Sequence, residues 1–259
     1  MNPAERLLLV FDEMLKQPQT GSISHMWAGV FGIPADPGNH QHDDEVVACT
    51  QALRAELAAT KALLLAKSVK SSMLEPCFSR MALAATAGGL HKEWPGYRGN
   101  LIGPEIRLAL EWAAWALSSD EDDLSAEAIS ALVAELDELE AAARADGVSP
   151  YVRELCLRCA SQIRSALRVY RVRGLAALAD ALQTTAGAMV SSKSIVATEV
   201  ASGTPETRSV VSKLKGVFDG LVKTAEGLDR INKGIEAAKN VYKSLSEVWS
   251  SFPSLPPPQ

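Results

Sequence analysis

The sequence predicts an all-α fold, in which a multi-helix bundle is followed by one long amphipathic helix near the C-terminus. Hydrophobic residues occupy 47% of the 259 positions, but aromatic residues occupy only 5%. Alanine and leucine lose little conformational freedom in a helix, whereas strands favour β-branched and aromatic residues. Apolar residues also recur three or four positions apart, and no segment shows the alternation of a strand.

The spacing of apolar residues and the turn residues between them predict seven helices before residue 183. Their predicted ranges are 3–17, 23–31, 43–69, 72–86, 104–117, 125–146 and 150–182. Asn2 and Pro3 suit the cap and the first turn of the first helix. Ser125 and Gly147 suit the start and the end of the sixth helix in the same way.

A segment rich in glycine and aromatic residues, residues 88–100, is predicted to be a loop. Tryptophan, tyrosine and arginine dominate the energetics of protein interfaces. Trp94, Tyr97 and Arg98 of this loop are therefore the first candidates for a recognition surface. The alternative is that Trp94 and Tyr97 anchor the loop to the hydrophobic core.

The seventh helix carries six arginines, of which Arg164, Arg168 and Arg171 share one face. Three kinds of partner fit this basic stripe: the acidic residues of the preceding helix, another protein, or the phosphates of a nucleic acid or nucleotide. The net charge of −5 disfavours nucleic acid. We expect these arginines to pair with the acidic helix inside the fold.

Composition divides the C-terminal part of the chain from a bundle domain at residues 1–182. Residues 183–205 are rich in serine, threonine, alanine and glycine, and we predict a hinge or linker there, with a weak helix as the alternative. Residues 206–252 are predicted to form one long amphipathic helix. The proline-rich residues 253–259 are predicted to be a disordered tail.

The long C-terminal helix is predicted from a heptad repeat, because its apolar positions follow one another at alternating intervals of four and three. The series is Val210, Leu214, Val217, Leu221, Thr224, Leu228, Ile231, Ile235, Ala238, Tyr242, Leu245, Trp249 and Phe252. A helix over this series is about 63 Å long at ~1.5 Å per residue. Part of its apolar face therefore needs another helix, another subunit or a lipid surface.

Three glycines, Gly220, Gly227 and Gly234, lie seven residues apart along one edge of the heptad series. Each costs about 0.5–1 kcal/mol relative to alanine inside a helix, so their register predicts close approach of a neighbouring helix. That neighbour could belong to the same chain, to a second copy or to another protein. The remaining candidates for partner contact in this helix are Leu228, Ile231, Ile235, Tyr242 and Trp249.

Two short motifs contain residue types that bind metals. His40, His42 and Asp44 spell H-x-H-x-D, and imidazole and carboxylate groups bind Zn²⁺ or Fe²⁺. The alternative is an exposed polar loop whose acids cap the next helix. Cys156 and Cys159 form a single C-x-x-C without a second ligand pair, so we interpret them as buried helix residues.

These patterns predict a non-enzymatic helical interaction protein, such as an adaptor, an inhibitor or immunity protein, or a regulatory subunit. It would bind a protein partner or form a homo-oligomer through the C-terminal helix, without a cofactor. Two alternatives remain: a membrane-acting effector that releases its C-terminal helix, and a metal-dependent hydrolase that uses the H-x-H-x-D motif. An alanine-rich chain without a targeting signal or an apolar run of ~18 residues predicts a bacterial, cytoplasmic protein.

Overall fold

A computed structural model of the chain describes residues 1–34, 40–101, 103–118, 123–226 and 249. Secondary structure in these ranges is helical apart from one isolated antiparallel bridge between Ser22 and Glu93. The α-helices are α1 Pro3–Lys16, α2 Ile23–Phe31, α3 His40–Ala66, α4 Ser71–Ala84, α5 Trp94–Arg98, α6 Pro104–Ala116, α7 Ala126–Ala143, α8 Pro150–Arg173, α9 Leu175–Ser191, α10 Lys193–Ser202 and α11 Pro205–Glu226. The predicted all-α class is confirmed.

The chain divides into two compact units. The first comprises Met1–Glu121 together with Arg168–Gly174, and the second comprises Asp122–Leu167 together with Leu175–Gln259. Helix α8 thus supplies residues to both units. This division differs from the predicted one, which separated residues 1–182 from the rest at a hinge over 183–205.

The predicted hinge region is largely helical, because α9 continues to Ser191 and α10 covers Lys193–Ser202. Serine and threonine ordinarily favour caps and turns, since their hydroxyls compete for backbone groups. Here those hydroxyls bond the carbonyl four residues earlier, for example Thr185 Oγ1 to Ala181 O at 2.7 Å. The hydroxyl is thereby satisfied inside the helix and does not take a backbone group away from it.

The predicted helix over 150–182 is interrupted at Gly174, whose φ of 59° lies in the left-handed region. Glycine reaches this conformation without the steric cost that a side chain adds. Gly174 N still donates to Tyr170 O at 2.8 Å, which satisfies the last turn of α8. Helix α9 begins at the next residue, Leu175.

In the first unit, Asn2 fixes the start of α1. Its side-chain oxygen accepts from Glu5 N at 3.0 Å, while the Glu5 carboxylate accepts from Asn2 N at 2.6 Å. This reciprocal arrangement satisfies two otherwise unpaired donors at the helix start. Asn2 Nδ2 also donates to Ala114 O and Leu117 O at the end of α6, at 2.8 and 3.0 Å. The cap residue therefore ties α1 to α6.

The core of the first unit is built from α1, α2, α3, α4 and α6, and it encloses two tryptophans. Trp27 and Trp94 are both fully buried, and Trp27 Nε1 donates to Ala84 O at 2.8 Å. Arg6 is buried as well, and its guanidinium bonds Val172 O at 3.0 Å and Glu56 at 3.1 Å. Pairing offsets the cost of burying that charge.

In the second unit, α11 packs closely along α7. A Cβ placed on Gly220 would lie 3.0 Å from Glu135 Oε2 and 3.5 Å from Leu132 Cδ2. At this glycine, therefore, a neighbouring helix of the same chain approaches the backbone of α11. The Glu135 carboxyl is partly buried there, and burial, followed by the nearby Glu138, raises its pKa.

The described heptad positions of α11 face the core of the second unit. Val210, Leu214, Val217 and Leu221 are all buried. The predicted helix beyond Glu226 lies outside the described residues, except for Trp249. The Trp249 ring lies 6.2 Å from the Phe218 ring and is buried.

Candidate functional site

Helix α6 has two apolar faces, of which only one is buried. Its inward face carries Ile106, Leu110 and Ala113, each without exposed surface. Its first turn also carries Glu105, which pairs with Arg80 of α4 at 3.2 Å. This face and this ion pair hold α6 in the first unit.

The outward face of α6 carries Leu108, Trp112 and Trp115, which we call the α6 apolar stripe. Leu108 is 64% exposed, Trp112 38% and Trp115 81%. The intervals of four and three place them above one another on one side of the helix. Isolated exposed apolar residues are common, but an aligned group containing two tryptophans is typical of a binding surface.

Charged residues flank the stripe and fix α6 against α1. Arg107 donates through Nε to Asp12 Oδ1 and through Nη2 to Asp12 Oδ2, both at 3.1 Å. Arg107 also pairs with Glu111. These bonds, first those to Asp12, raise the pKa of Arg107. The arrangement is an apolar centre bordered by a polar rim, as in many protein interfaces.

The stripe was not among the residues singled out from sequence, although its helix was predicted. A signal was available, because a helix at the edge of a bundle needs only one apolar face. Leu108, Trp112 and Trp115 lie on the side of the helix opposite the buried residues Ile106, Leu110 and Ala113. Periodicity identifies both faces but does not say which one is covered.

In the segment at residues 88–100, which we call the aromatic loop, the predicted recognition residues have different roles. Trp94 is fully buried, and its Nε1 has no hydrogen-bond partner among the described residues. It anchors the loop, as the alternative interpretation held. Tyr97 is half-buried beside a surface cavity. Arg98 donates to Leu15 O at 3.5 Å.

The loop contains more structure than predicted, with a 3₁₀ turn at Ala87–Gly89 and the single turn of α5. Backbone bonds hold it against the start of α2. Ile23 N donates to Lys92 O at 2.9 Å, and Trp94 N donates to Gly21 O at 2.9 Å. Short-range propensity does not report such tertiary bonds, which explains why they were missed.

Two of the three arginines of the basic stripe pair with acids inside their own unit. Arg164 bonds Asp137 Oδ1 at 2.8 Å and Glu140 Oε1 at 2.9 Å. Burial lowers the pKa of Arg164, but the bonds to these two carboxylates outweigh it and raise the pKa. Arg168 instead pairs with Glu45 of α3 and not with the acidic helix α7, and Arg171 is exposed.

The H-x-H-x-D motif lies at the start of α3 and not in a loop. His42 Nδ1 lies 2.9 Å from Pro34 O, and Asp44 is exposed. The side chain of His40 lies outside the described residues. The described part of the chain contains no cluster of three or more potential metal ligands.

All four cysteines are free and buried. Burial raises the pKa of the Cys156 thiol strongly and that of the Cys159 thiol to about 11. The same cause raises the pKa of Cys49 to about 11 and that of Cys77 to about 12. A protonated thiol is neither a good nucleophile nor a metal ligand. Cys156 and Cys159 therefore behave as part of the core.

The other candidates for partner contact in the C-terminal helix lie outside the described residues. They are Gly227, Gly234, Leu228, Ile231, Ile235 and Tyr242. Within the part of the chain that is described, no helix is both long and apolar enough to cross a bilayer.

Comparisons of the chain with protein-family models, with curated proteins and with solved structures found no match.

Proposed function

We propose that this chain is a non-enzymatic interaction protein that binds another protein through the α6 apolar stripe. One observation carries the proposal: Trp115 is 81% exposed and shares a helix face with Leu108 and Trp112. Exposed indole surface is unfavourable in water, and a bound partner would remove it from solvent. In this role the chain would serve as an adaptor, an inhibitor or a regulatory subunit.

The size of the stripe favours a partner that binds and dissociates. Its exposed surface is roughly 300–400 Å², from the typical area of such side chains. A standard interface buries about 800 Å² on each partner, and permanent homodimers bury more. The stripe therefore fits the central cluster of an interface whose outer part includes Arg107 and Glu111. A small apolar centre with charged residues around it suits a separate protein better than a permanent second copy of the chain.

The geometry of the stripe favours a helical partner. Its three residues lie at the i, i+4, i+7 spacing by which one helix packs against another. An amphipathic helix of the partner would place aliphatic residues between Trp112 and Trp115. Acidic or basic residues at its edge would meet Arg107 and Glu111.

Photo-crosslinking in cells tests the proposal. A photoreactive phenylalanine analogue replaces Trp115, and the same analogue at Leu63 of α3 serves as the control. Leu63 is 48% exposed, so both positions are apolar and accessible. We expect a discrete protein adduct from position 115 that Leu108→Asp in the same chain removes, and no such adduct from position 63.

Two results would contradict the proposal. Identical adducts from positions 115 and 63 would show that the stripe has no selective partner. Adducts that contain only a second copy of this chain would replace a separate partner with self-association. Circular dichroism of the Leu108→Asp chain, which we expect to match the unmodified protein, shows that the fold is retained.

A further inference from the structure

The outer face of α3 is a second uncovered apolar surface of the first unit. From residue 55 to residue 66 every exposed position is alanine or leucine, and we call these positions the α3 apolar face: Ala55, Ala58, Ala59, Ala62, Leu63, Leu65 and Ala66. Leu63 is 48% exposed and Leu65 is 42% exposed. Helical periodicity places the alanines along the middle of this face and the two leucines at its opposite borders.

The inward side of the same segment is apolar too. Leu57 and Leu64 are buried there, and the charged residues of the segment, Glu56 and Lys61, are partly exposed at its flanks. A surface helix ordinarily turns charged residues to water, whereas a helix that is apolar on both sides is covered on both. Helix propensity does not explain the missing charges, because lysine and glutamate form helices about as well as leucine.

Four ion pairs show where this face lies in the first unit. They are Arg107–Asp12 between α6 and α1, Arg6–Glu56 between α1 and α3, Lys61–Glu75 between α3 and α4, and Arg80–Glu105 between α4 and α6. Helices α3 and α6 are each joined to α1 and to α4, so they occupy opposite corners of a four-helix arrangement. The α3 apolar face and the α6 apolar stripe therefore point in opposite directions.

A groove between α3 and α4 continues the face. Its volume is about 470 Å³, and its lining comprises Arg54, Ala55, Leu57, Ala58, Lys61, Glu75, Phe78, Ser79 and Ala82. Ala55 and Ala58 belong to both the face and the groove, and the buried Leu57 and Phe78 form its base. Alanines allow the backbone of another helix to approach closely, and the groove admits a larger apolar side chain from that helix.

Charge favours a separate protein over a second copy of the chain. Arg54 precedes the face and Lys67 follows it; both are exposed, and neither has a carboxylate partner among the described residues. If two copies paired antiparallel through residues 55–66, Arg54 of each copy would lie opposite Lys67 of the other. A parallel pair would place each cation opposite itself. Like charges in contact oppose both arrangements, whereas a helix with an acidic residue near each end would pair with both cations.

We propose that the α3 apolar face binds a helix of a second protein partner, so that the first unit bridges two proteins on its opposite sides. The bound helix presents small residues to the alanines, an aliphatic side chain to the groove and acidic residues to Arg54 and Lys67. These two cations are 13 positions apart in the sequence, about 20 Å at ~1.5 Å per residue. The bridging role rests on the function proposed for the α6 apolar stripe, but binding at α3 does not.

A designed helical peptide tests the α3 apolar face of the full-length protein. The probe is a stapled helix of about 17 residues with an alanine and leucine face and two glutamates 13 positions apart, which match Arg54 and Lys67. A second peptide carries lysines at those two positions. By amide chemical shifts, we expect the glutamate peptide to bind at α3 and the adjoining side of α4 with a dissociation constant below about 1 mM. The lysine peptide should bind at least about tenfold more weakly.

Matched variants separate the face from the charges at its ends. Ala62→Glu puts a bulky acid at the centre of the face and should weaken binding of the glutamate peptide at least tenfold. Ala131→Glu, at an exposed alanine of α7, is the control and should leave binding unchanged. Arg54→Gln combined with Lys67→Gln should remove the preference for the glutamate peptide over the lysine peptide. Circular dichroism checks that each variant is folded.

Photo-crosslinking in cells tests the bridging role. The photoreactive analogue at Leu65 should give an adduct that Ala62→Glu removes and Leu108→Asp leaves intact. The adduct from position 115 should show the opposite dependence. A chain with the analogue at both positions should also give a heavier product that contains both partners. An adduct from position 63 that Leu108→Asp leaves intact belongs to the α3 apolar face and not to the stripe.

The two parts of the inference fail in different ways. Equal binding of the glutamate and lysine peptides, or unchanged binding by the Ala62→Glu chain, overturns the site at α3. A dimer mass in light scattering that Ala62→Glu returns to the monomer value replaces the second protein with a second copy. Separate adducts at positions 65 and 115 without the heavier product overturn bridging. Loss of the adduct at position 115 alone contradicts the function proposed for the stripe and therefore bridging, but not the α3 site.

Discussion

At the residue scale, the buried thiols give the protein a defined response to alkaline pH. The ordinary thiol pKa is 9.0, and burial raises the pKa of Cys77 to about 12. A group whose pKa is raised on folding contributes stability below the unfolded pKa. That contribution is lost as the pH rises towards the folded pKa. Between pH 9 and 12 the unfolded chain therefore gains thiolates that the folded chain lacks.

Thiolate absorbance at 240 nm measures this difference directly. We expect the native protein at pH 9.5 to show little of the thiolate signal that the same protein shows in 6 M guanidinium chloride at that pH. After subtraction of the tyrosinate contribution, which is measured at 295 nm, Cys77→Ala should lower the denatured thiolate signal by about one quarter, because one of four thiols is removed. Native absorbance equal to the denatured value would show that the thiols are accessible.

At the element scale, Gly220 decides how closely α11 approaches α7. Gly220→Ala should change the free energy of unfolding by less than about 1 kcal/mol, because the carboxylate end of Glu135 can move aside and alanine favours the helix. Gly220→Leu should cost about 1–3 kcal/mol by overpacking against Leu132. Urea denaturation followed by circular dichroism measures both.

Gly187 of α9 is the matched control, since a Cβ there meets no atom within 4 Å. Gly187→Ala and Gly187→Leu should both be neutral or stabilising. If Gly220→Leu and Gly187→Leu behave alike, α7 does not constrain α11 at this position.

The elements show which features a single sequence can predict. Helix α1 was predictable, because Asn2 and Pro3 are a local capping signal that needs no tertiary information. The break at Gly174 was not predicted, because a glycine within a periodic helix pattern is often tolerated. The roles of Trp94 and Trp115 depend on which face of each element is covered, and periodicity alone does not contain that information.

At the scale of the whole molecule, Trp249 packs against Phe218 in the core of the second unit. Trp249→Ala should lower the free energy of unfolding by about 3–5 kcal/mol, as for other buried tryptophans. Trp115→Ala, at the exposed position, should change it by less than about 0.5 kcal/mol. Equal effects of the two substitutions would exclude a structural role for Trp249.

The exposure of Trp115 has an optical consequence. The chain contains five tryptophans, of which Trp27, Trp94 and Trp249 are buried. Iodide in solution quenches only the indoles that it can reach, so Trp115 and, to a smaller extent, Trp112 supply the quenchable part of the intrinsic fluorescence. The protein thus carries its own reporter at the α6 apolar stripe, and a change in quenching registers when that surface becomes covered.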